Sequence, residues 1–149
     1  MRVWRIARSA YPALDGEGAR IAGGRWNSKG IPVVYTAGSR ALAMLEVLAW
    51  TDPEDVPKDY EMKEIVIPEG ITVEVVAPHE LPPDWRKPRN PACRAVGDAW
   101  ASAGRSLVLQ VPSALIPEEP NFLINPRHPA ATDVRVVVSR PFSFDHRLL

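Results

Sequence analysis

The chain has 149 residues, of which 46% are hydrophobic and 24% charged, and its 18 basic residues balance its 18 acidic ones. This is the composition of a globular protein, and it excludes a disordered chain and a coiled coil. The length predicts a single compact domain over residues 1–149. Zero net charge argues against direct nucleic-acid binding, because proteins that neutralise a phosphate backbone usually carry a basic excess.

Targeting signals and metal-binding patterns are not found in the sequence. Residues 1–5 are charged and precede no apolar run, and no segment approaches the roughly 20 apolar residues of a membrane span. We therefore expect a cytoplasmic protein without a membrane partner. Cys93 is the only cysteine, so an intrachain disulfide and a cysteine-based zinc site are excluded. The three histidines are widely spaced, and we predict no metal site.

The pattern of apolar runs and breaker residues predicts an α+β fold of short strands and a few helices. Strands are expected over residues 3–7, 31–36, 62–67, 72–76, 106–111 and 134–138. Ser39 is the expected N-cap of a helix over 40–50, while Asn90, Pro91 and Gly104 bracket a second helix over about 92–103. The glycine- and proline-rich stretches before residue 31, at 78–91 and at 117–129 are expected to be irregular.

Glu46 is the only ionisable residue inside the first predicted helix, which is apolar all the way round and is therefore expected to be buried. An unpaired carboxylate in an apolar setting is costly, and such groups are candidates for functional sites. The alternative is that Glu46 reaches solvent or pairs with a structural arginine.

Two further candidates precede this helix. Arg25 follows the pair Gly23-Gly24, and a guanidinium beside glycine amides suits a phosphate or carboxylate ligand, although most arginines simply lie on the surface. The two glycines permit positive φ or a close approach of the backbone to a neighbour. The Tyr35 ring either stacks on a planar ligand or fills the core.

Polar residues near the C-terminal strands form another group. Ser113 stands where a strand is expected to end, and Asn121, Asn125 and His128 follow in a loop stiffened by prolines. Polar side chains on a stiff loop are pre-organised to bind a ligand, but they also commonly cap their own turns. The sequence contains no dinucleotide-binding glycine motif, Walker loop or nucleophile elbow.

Four blocks of sequence occur in a characteristic order. They are Val3-Trp4-Arg5-Ile6; Gly24-Arg25-Trp26-Asn27 with Pro32-Val33-Val34-Tyr35 and Ala43-Met44-Leu45-Glu46-Val47-Leu48; Val111-Pro112-Ser113-Ala114 with Asn121 and Asn125-Pro126-Arg127-His128-Pro129; and Phe144-Asp145-His146-Arg147-Leu148. Together they resemble the RES-domain family, whose members are toxins of bacterial Xre–RES toxin–antitoxin systems. The resemblance covers nearly the whole chain. At His146 a proline would be more typical.

The resemblance implies a fold similar to ADP-ribosyltransferase toxins and an enzyme that degrades NAD⁺ by cleaving the nicotinamide–ribose bond. NAD⁺ is then the substrate, inorganic phosphate the expected co-substrate, and no resident cofactor is needed. By position, the implied catalytic residues are Arg25, Tyr35, Glu46 and Ser113. The expected substrate-binding residues lie in the same blocks and are Gly24, Trp26, Asn121, Asn125 and His128.

The resemblance also implies a partner, an Xre-type antitoxin bound in a hetero-oligomer. The alternative activities are an NAD⁺ glycohydrolase, which uses water as acceptor, and a protein ADP-ribosyltransferase. A non-enzymatic nucleotide-binding module ranks last, because Glu46 is present. The same arginine, tyrosine and glutamate would serve each of the enzymes, so only the reaction products distinguish them.

Overall fold

A mixed seven-stranded sheet organises the fold in the computed structural model, which describes residues 1–149. The strands are β1 (Arg2–Arg8), β2 (Val34–Ala37), β3 (Tyr60–Val66), β4 (Val73–Val75), β5 (Val108–Pro112), β6 (Pro120–Ile124) and β7 (Arg135–Pro141). They lie in the order β4-β5-β6-β2-β1-β3-β7, and every neighbouring pair is antiparallel except the parallel pair β4–β5. A mixed sheet with separate helices confirms the α+β prediction.

The helices are α1 (Glu17–Ala22), α2 (Arg40–Leu48) and α3 (Pro91–Ala103), with 3₁₀ turns at Pro78–Glu80, Pro129–Asp133 and His146–Leu148. The predicted caps are confirmed. Ser39 Oγ accepts from Leu42 N at 3.1 Å, Asn90 Oδ1 accepts from Ala92 N at 2.9 Å, and Gly104 ends α3 with φ of 64°. No helix combines the length and the apolar character needed to cross a membrane.

Two elements contradict the sequence-based prediction. Residues 17–22 form α1 rather than a loop; its N-cap Gly16 has a left-handed φ of 69° and offers no side-chain cap, so the usual start signal is absent. The stretch expected to be irregular at 117–129 contains β6, which pairs with both β2 and β5. Pro120 stands at the first position of β6, where a missing amide hydrogen is tolerated.

The burial of α2 also differs from expectation. Only Leu42 and Ala43 are buried in this helix, and Trp50, just beyond its end, is 73% exposed. The helix packs on β1 and β2 through a small core with Ile6 and Met62. Its other apolar side chains are partly or fully exposed, and Val47 is the one among them that borders a cavity.

Strands β1 and β2 are joined by a single register pair, Trp4 with Ala37, whereas β1 and β3 pair along seven residues. The two central strands therefore separate along most of their length. The gap is spanned by Arg5, whose Nη1 donates to the Tyr35 carbonyl oxygen at 3.1 Å. This divergence opens the middle of the sheet to a cavity.

Candidate active site

The cavity has a volume of about 730 Å³, which is the size of a small-molecule site. Residues from the strands β1, β2, β3 and β6, the helices α1 and α2 and several loops line it, and 13 of its 24 lining residues are hydrophobic. Only four lining residues carry a charge, and they are Arg5, Arg25, Glu46 and Arg86. None of the three arginines forms an ion pair with a carboxylate of the protein. The cavity is therefore cationic, with one anionic group.

Glu46 extends from α2 into the cavity and is held by two neutral donors. Ser113 Oγ donates to its Oε1 at 2.7 Å, and Asn121 Nδ2 donates to the same oxygen at 2.8 Å. The second oxygen, Oε2, has no hydrogen-bond partner in the protein. Because no arginine pairs with Glu46, the alternative of a structural ion pair is wrong. The carboxylate is fixed by one oxygen, while the other faces no donor of the protein.

Ser113 itself is fully buried and does not line the cavity. Its hydroxyl oxygen accepts from the amides of Leu115 and Ile116, each at 3.1 Å. With both amides aimed at the oxygen, the hydroxyl proton is directed to Glu46. Ser113 thus lies behind the carboxylate, orients it through a hydrogen bond and has no place in the cavity lining.

Arg5 is one of several cavity residues, with Arg86 and Trp50, that the sequence-based prediction missed. Its Nε is buried without a hydrogen-bond partner, and its side chain holds only the Tyr35 carbonyl. Burial lowers the pKa of the Arg5 guanidinium, and the nearby Asp15 carboxylate opposes that change. An arginine keeps its charge in proteins, so Arg5 is a partly buried cation without a counter-ion contact. A charged residue in the middle of a strand, within Val3-Trp4-Arg5-Ile6, was the available signal.

Arg25 lines the cavity, but its guanidinium is engaged with a loop. Nη1 donates to the carbonyls of Trp85 and Lys87 at 2.9 and 3.0 Å, and Nη2 donates to the Arg86 carbonyl at 3.2 Å. These three consecutive carbonyls belong to a segment that we call the strap, residues 85–88. Arg25 is therefore no simple surface arginine, since its fork fixes the strap at the cavity wall.

Arg86 connects the strap by hydrogen bonds to the turn that follows β5. Its Nε donates to the Ala114 carbonyl at 2.7 Å and its Nη2 to the Leu115 carbonyl at 3.3 Å. Leu115 also donates its amide to Ser113, so the strap fastens the turn that orients this serine. A chain of hydrogen bonds thus runs from Arg25 through the strap and the turn to the Glu46 carboxylate.

Tyr35 was expected either to stack on a planar ligand or to fill the core, and its surroundings have features of both. It lines the cavity, but its hydroxyl is satisfied internally, accepting from Trp26 N at 3.0 Å and donating to Asn27 Oδ1 at 2.6 Å. Burial raises the pKa of the Tyr35 phenol well above its ordinary value, so the hydroxyl is neutral. The phenol thus ties the loop after Gly24 to β2, and no hydrogen of the hydroxyl is left for a ligand.

Gly24 and Trp26 also lie at the cavity. A Cβ at Gly24 would stand 2.6 Å from the Tyr35 hydroxyl, so the close approach expected of the glycine pair is confirmed. Gly23 has the positive φ, at 73°. The Trp26 ring is buried in the core that packs under α3.

Two of the predicted site residues lie elsewhere. Asn125 is buried, donates to the Ala101 carbonyl at 3.1 Å and accepts from the Arg127 amide at 3.0 Å. His128 Nδ1 accepts from the Ala130 amide at 3.1 Å and caps a 3₁₀ turn. Neither lines the cavity, and both make the turn-capping contacts that were the alternative for this loop.

Comparison with known proteins gives consistent matches along the whole chain. The RES domain family model matches residues 2–145. The chain is 40% identical to the Prs ADP-ribosylating toxin of Sphingobium sp. (strain YBL2), with 98% of this chain and 95% of that protein covered. It is 38% identical to Toxin Res of Yersinia enterocolitica, with 99% of each protein covered. The solved structure of the M. tuberculosis MbcT–MbcA toxin–antitoxin complex has a chain of similar fold, with a TM-score of 0.77, 22% identity and coverage of 95% of this chain and 84% of that one.

Proposed function

The chain belongs to the RES domain family, and from this premise we propose that it is the toxin of a toxin–antitoxin pair, an enzyme that cleaves the nicotinamide–ribose bond of NAD⁺. The observation that supports this activity best is the charge pattern of the cavity, in which three arginines without ion pairs accompany one carboxylate. A dinucleotide matches this pattern, because it carries an anionic pyrophosphate and a cationic nicotinamide ribosyl group.

Glu46 is the residue that we propose to act on the ribose. Breaking the C–N bond leaves its electron pair on nicotinamide, which departs as a neutral molecule, and positive charge builds up on the ribose. A fixed carboxylate stabilises that charge, as in glycoside hydrolysis. Ser113 and Asn121 hold Oε1, so that Oε2 is free for the ribose. The largely apolar lining strengthens the field of the carboxylate.

Arg5 is the residue that we propose to bind the pyrophosphate. Its guanidinium has one carbonyl partner and a buried Nε without any, so an anionic oxygen would satisfy donors that the protein leaves unpaired. Arg25 and Arg86 contribute positive charge at the cavity wall, although most of their bonding capacity is spent on the strap. Tyr35 provides an aromatic wall for the nicotinamide.

The acceptor that we propose is inorganic phosphate, whose oxygen bonds to the anomeric carbon as nicotinamide leaves, while its proton passes to solvent. The products are nicotinamide and ADP-ribose-1″-phosphate. The excess of cationic over anionic groups in the cavity supports a second anion beside the substrate. Water as acceptor gives an NAD⁺ glycohydrolase. Transfer to a protein is the second candidate, favoured by the name of the Sphingobium relative, an ADP-ribosylating toxin.

Product analysis tests the reaction. The purified protein is incubated with NAD⁺ with and without inorganic phosphate, and the products are identified by mass spectrometry. Nicotinamide with ADP-ribose-1″-phosphate, formed only with phosphate, is the expected result. Free ADP-ribose in both samples would establish a glycohydrolase. Intact NAD⁺ in both would overturn NAD⁺ degradation, and labelling of added cell protein from radioactive NAD⁺ would then establish ADP-ribosylation.

We further propose an Xre-type antitoxin partner that blocks the cavity. The matched M. tuberculosis structure is itself a toxin–antitoxin complex, which supports a partner of this kind. Expression of the chain alone in bacteria is expected to lower cellular NAD⁺ and stop growth, and co-expression of an Xre-type protein encoded beside it should prevent both. Growth arrest without NAD⁺ loss would contradict this mechanism of toxicity.

A further inference from the structure

Three aromatic side chains, Trp4, Trp50 and Tyr60, line the cavity in addition to Tyr35. Trp4 lies near the start of α2, where the Arg40 guanidinium stands over its ring. Trp50 follows the end of α2, and the next residue, Thr51, has its Oγ1 3.5 Å from the Tyr60 hydroxyl. Aromatic side chains and cationic groups in one cavity suit a ligand that carries both a planar ring and an anionic group.

Only one of these three rings is free. Trp4 has the Arg40 guanidinium over its ring at 5.0 Å, and Tyr60 packs edge-on against Phe144 at 6.2 Å. Trp50 has neither an aromatic nor a cationic partner, and it is 73% exposed, the highest value among the large hydrophobic residues. A tryptophan exposed to this extent contributes little to the core, and its place in the lining of the cavity makes its ring accessible to a ligand there.

Trp50 is also positioned by its backbone relative to Glu46. Its amide donates to the Val47 carbonyl at 3.1 Å, which continues the helical turn past the end of α2. Residues four apart on a helix lie on one face, so Trp50 follows Glu46 about 6 Å farther along the axis. Thr51 Oγ1 anchors the next residue to the same carbonyl at 2.7 Å. Hydrogen bonds to α2 thus fix the backbone that carries the indole at the cavity.

We infer that Trp50 is the stacking platform for the second base of the dinucleotide, the adenine that lies beyond the pyrophosphate from the cleaved bond. This inference depends on the proposed function and deepens it, since it assigns specificity for dinucleotides over smaller ribosyl substrates. Every nucleobase has a π-face, so it can stack on an exposed indole without specific hydrogen bonds to its edge. Trp50 acts on binding and takes no part in breaking the C–N bond.

The test compares Trp50→Leu with Trp50→Phe. Stacking of a base on an aromatic side chain corresponds to roughly a 5- to 150-fold change in binding, so Trp50→Leu is expected to raise the KM for NAD⁺ by at least fivefold with little change in kcat. Trp50→Phe keeps an aromatic face and should restore most of the affinity. Tyr11→Leu is the matched control, because Tyr11 is 64% exposed and does not line the cavity.

Binding of ADP and of inorganic pyrophosphate, measured by calorimetry, separates the base from the phosphates. Trp50→Leu should weaken ADP binding and leave pyrophosphate binding unchanged. Equal weakening of both ligands, or an unchanged KM for NAD⁺, would overturn the platform. If the wild-type protein failed to consume NAD⁺ while ADP binding still depended on Trp50, the proposed function would fail and the platform would stand.

Discussion

Ser113 Oγ donates a 2.7 Å hydrogen bond to Glu46 Oε1, although 67 positions of sequence separate the two residues. Asn121 donates to the same oxygen at 2.8 Å from the neighbouring strand β6. Two neutral donors stabilise the carboxylate without cancelling its charge, which an arginine partner would do. The arrangement fixes the orientation of Glu46 and leaves Oε2 without a protein partner, as the proposed action on a ribose requires.

Replacing Glu46 by Gln removes the charge and keeps the shape of the side chain. We expect the rate of nicotinamide release to fall by at least about a hundredfold, since preorganised charge is the largest contribution to catalysis at many sites. The thermal unfolding midpoint should change little, because Glu46 is partly exposed and lies outside the core. Glu118→Gln, at an exposed position outside the cavity, is the control. A Glu46→Gln enzyme within a few-fold of wild type would contradict the electrostatic role.

Replacing Arg5 by Lys keeps the positive charge and loses the planar set of donors on the three guanidinium nitrogens. Lysine has one side-chain nitrogen, so an ammonium that holds the Tyr35 carbonyl cannot also place donors at the separate positions of Arg5 Nε and Nη2. We expect the KM for NAD⁺ to rise at least about tenfold, with a smaller effect on kcat. The control is Arg2→Lys on the same strand, where the side chain is exposed and its ion pair with Glu64 contributes little. Unchanged steady-state parameters would exclude Arg5 from substrate binding.

Replacing Arg25 by Lys tests the strap. One ammonium cannot reach three consecutive carbonyls in the geometry of the guanidinium, so the strap loosens. We expect the free energy of unfolding in urea to drop by about 1–3 kcal/mol, together with a lower kcat. Arg127→Lys, exposed and without a side-chain hydrogen bond, should change neither quantity. If activity fell while stability held, Arg25 would act on the substrate directly and not through the strap.

Replacing Tyr35 by Phe tests the pH dependence of stability. Burial raises the pKa of the Tyr35 phenol above its ordinary value of 10.0, so above that pH unfolding releases a proton that the folded state retains. The phenol's contribution to stability is therefore fully present below pH 10 and declines as the pH rises beyond it. The difference in unfolding free energy between wild type and Tyr35→Phe should shrink by about 1 kcal/mol from about pH 9 to 11. A constant difference across this range would show that the phenol titrates normally.

Replacing Gly97 by Ala tests the packing of α3. A Cβ there would lie 1.7 Å from the Trp26 carbonyl oxygen, which belongs to the backbone and cannot simply rotate away. We expect a loss of about 3 kcal/mol or more in urea unfolding, or failure to fold. Gly18→Ala in α1 is the matched control, because nothing lies within 4 Å of its Cβ position and Ala favours a helix. A small effect at Gly97 would mean that α3 can shift away from the loop.

Local signals in the sequence accounted for most elements of the fold. The caps Ser39 and Asn90 and the stop at Gly104 set the limits of α2 and α3, because each acts on backbone groups within four residues of itself. The helix α1 has no such cap, and β6 lies among prolines and asparagines that normally mark loops, so both were missed. β6 is a strand because β2 and β5 pair with it from both sides, a cause that is distant in sequence.

The sequence by itself determined that the fold is α+β and singled out Glu46, since a lone carboxylate in an apolar helix stands out without any knowledge of its neighbours. Only the tertiary structure decided which groups surround it. The pairing of β1, β2 and β6 brings Arg5 and Asn121 to the cavity. Arg25 is engaged with the strap, and Asn125 and His128 cap distant turns. A side chain's partner depends on strand pairings between residues far apart in sequence, and no local pattern records those pairings.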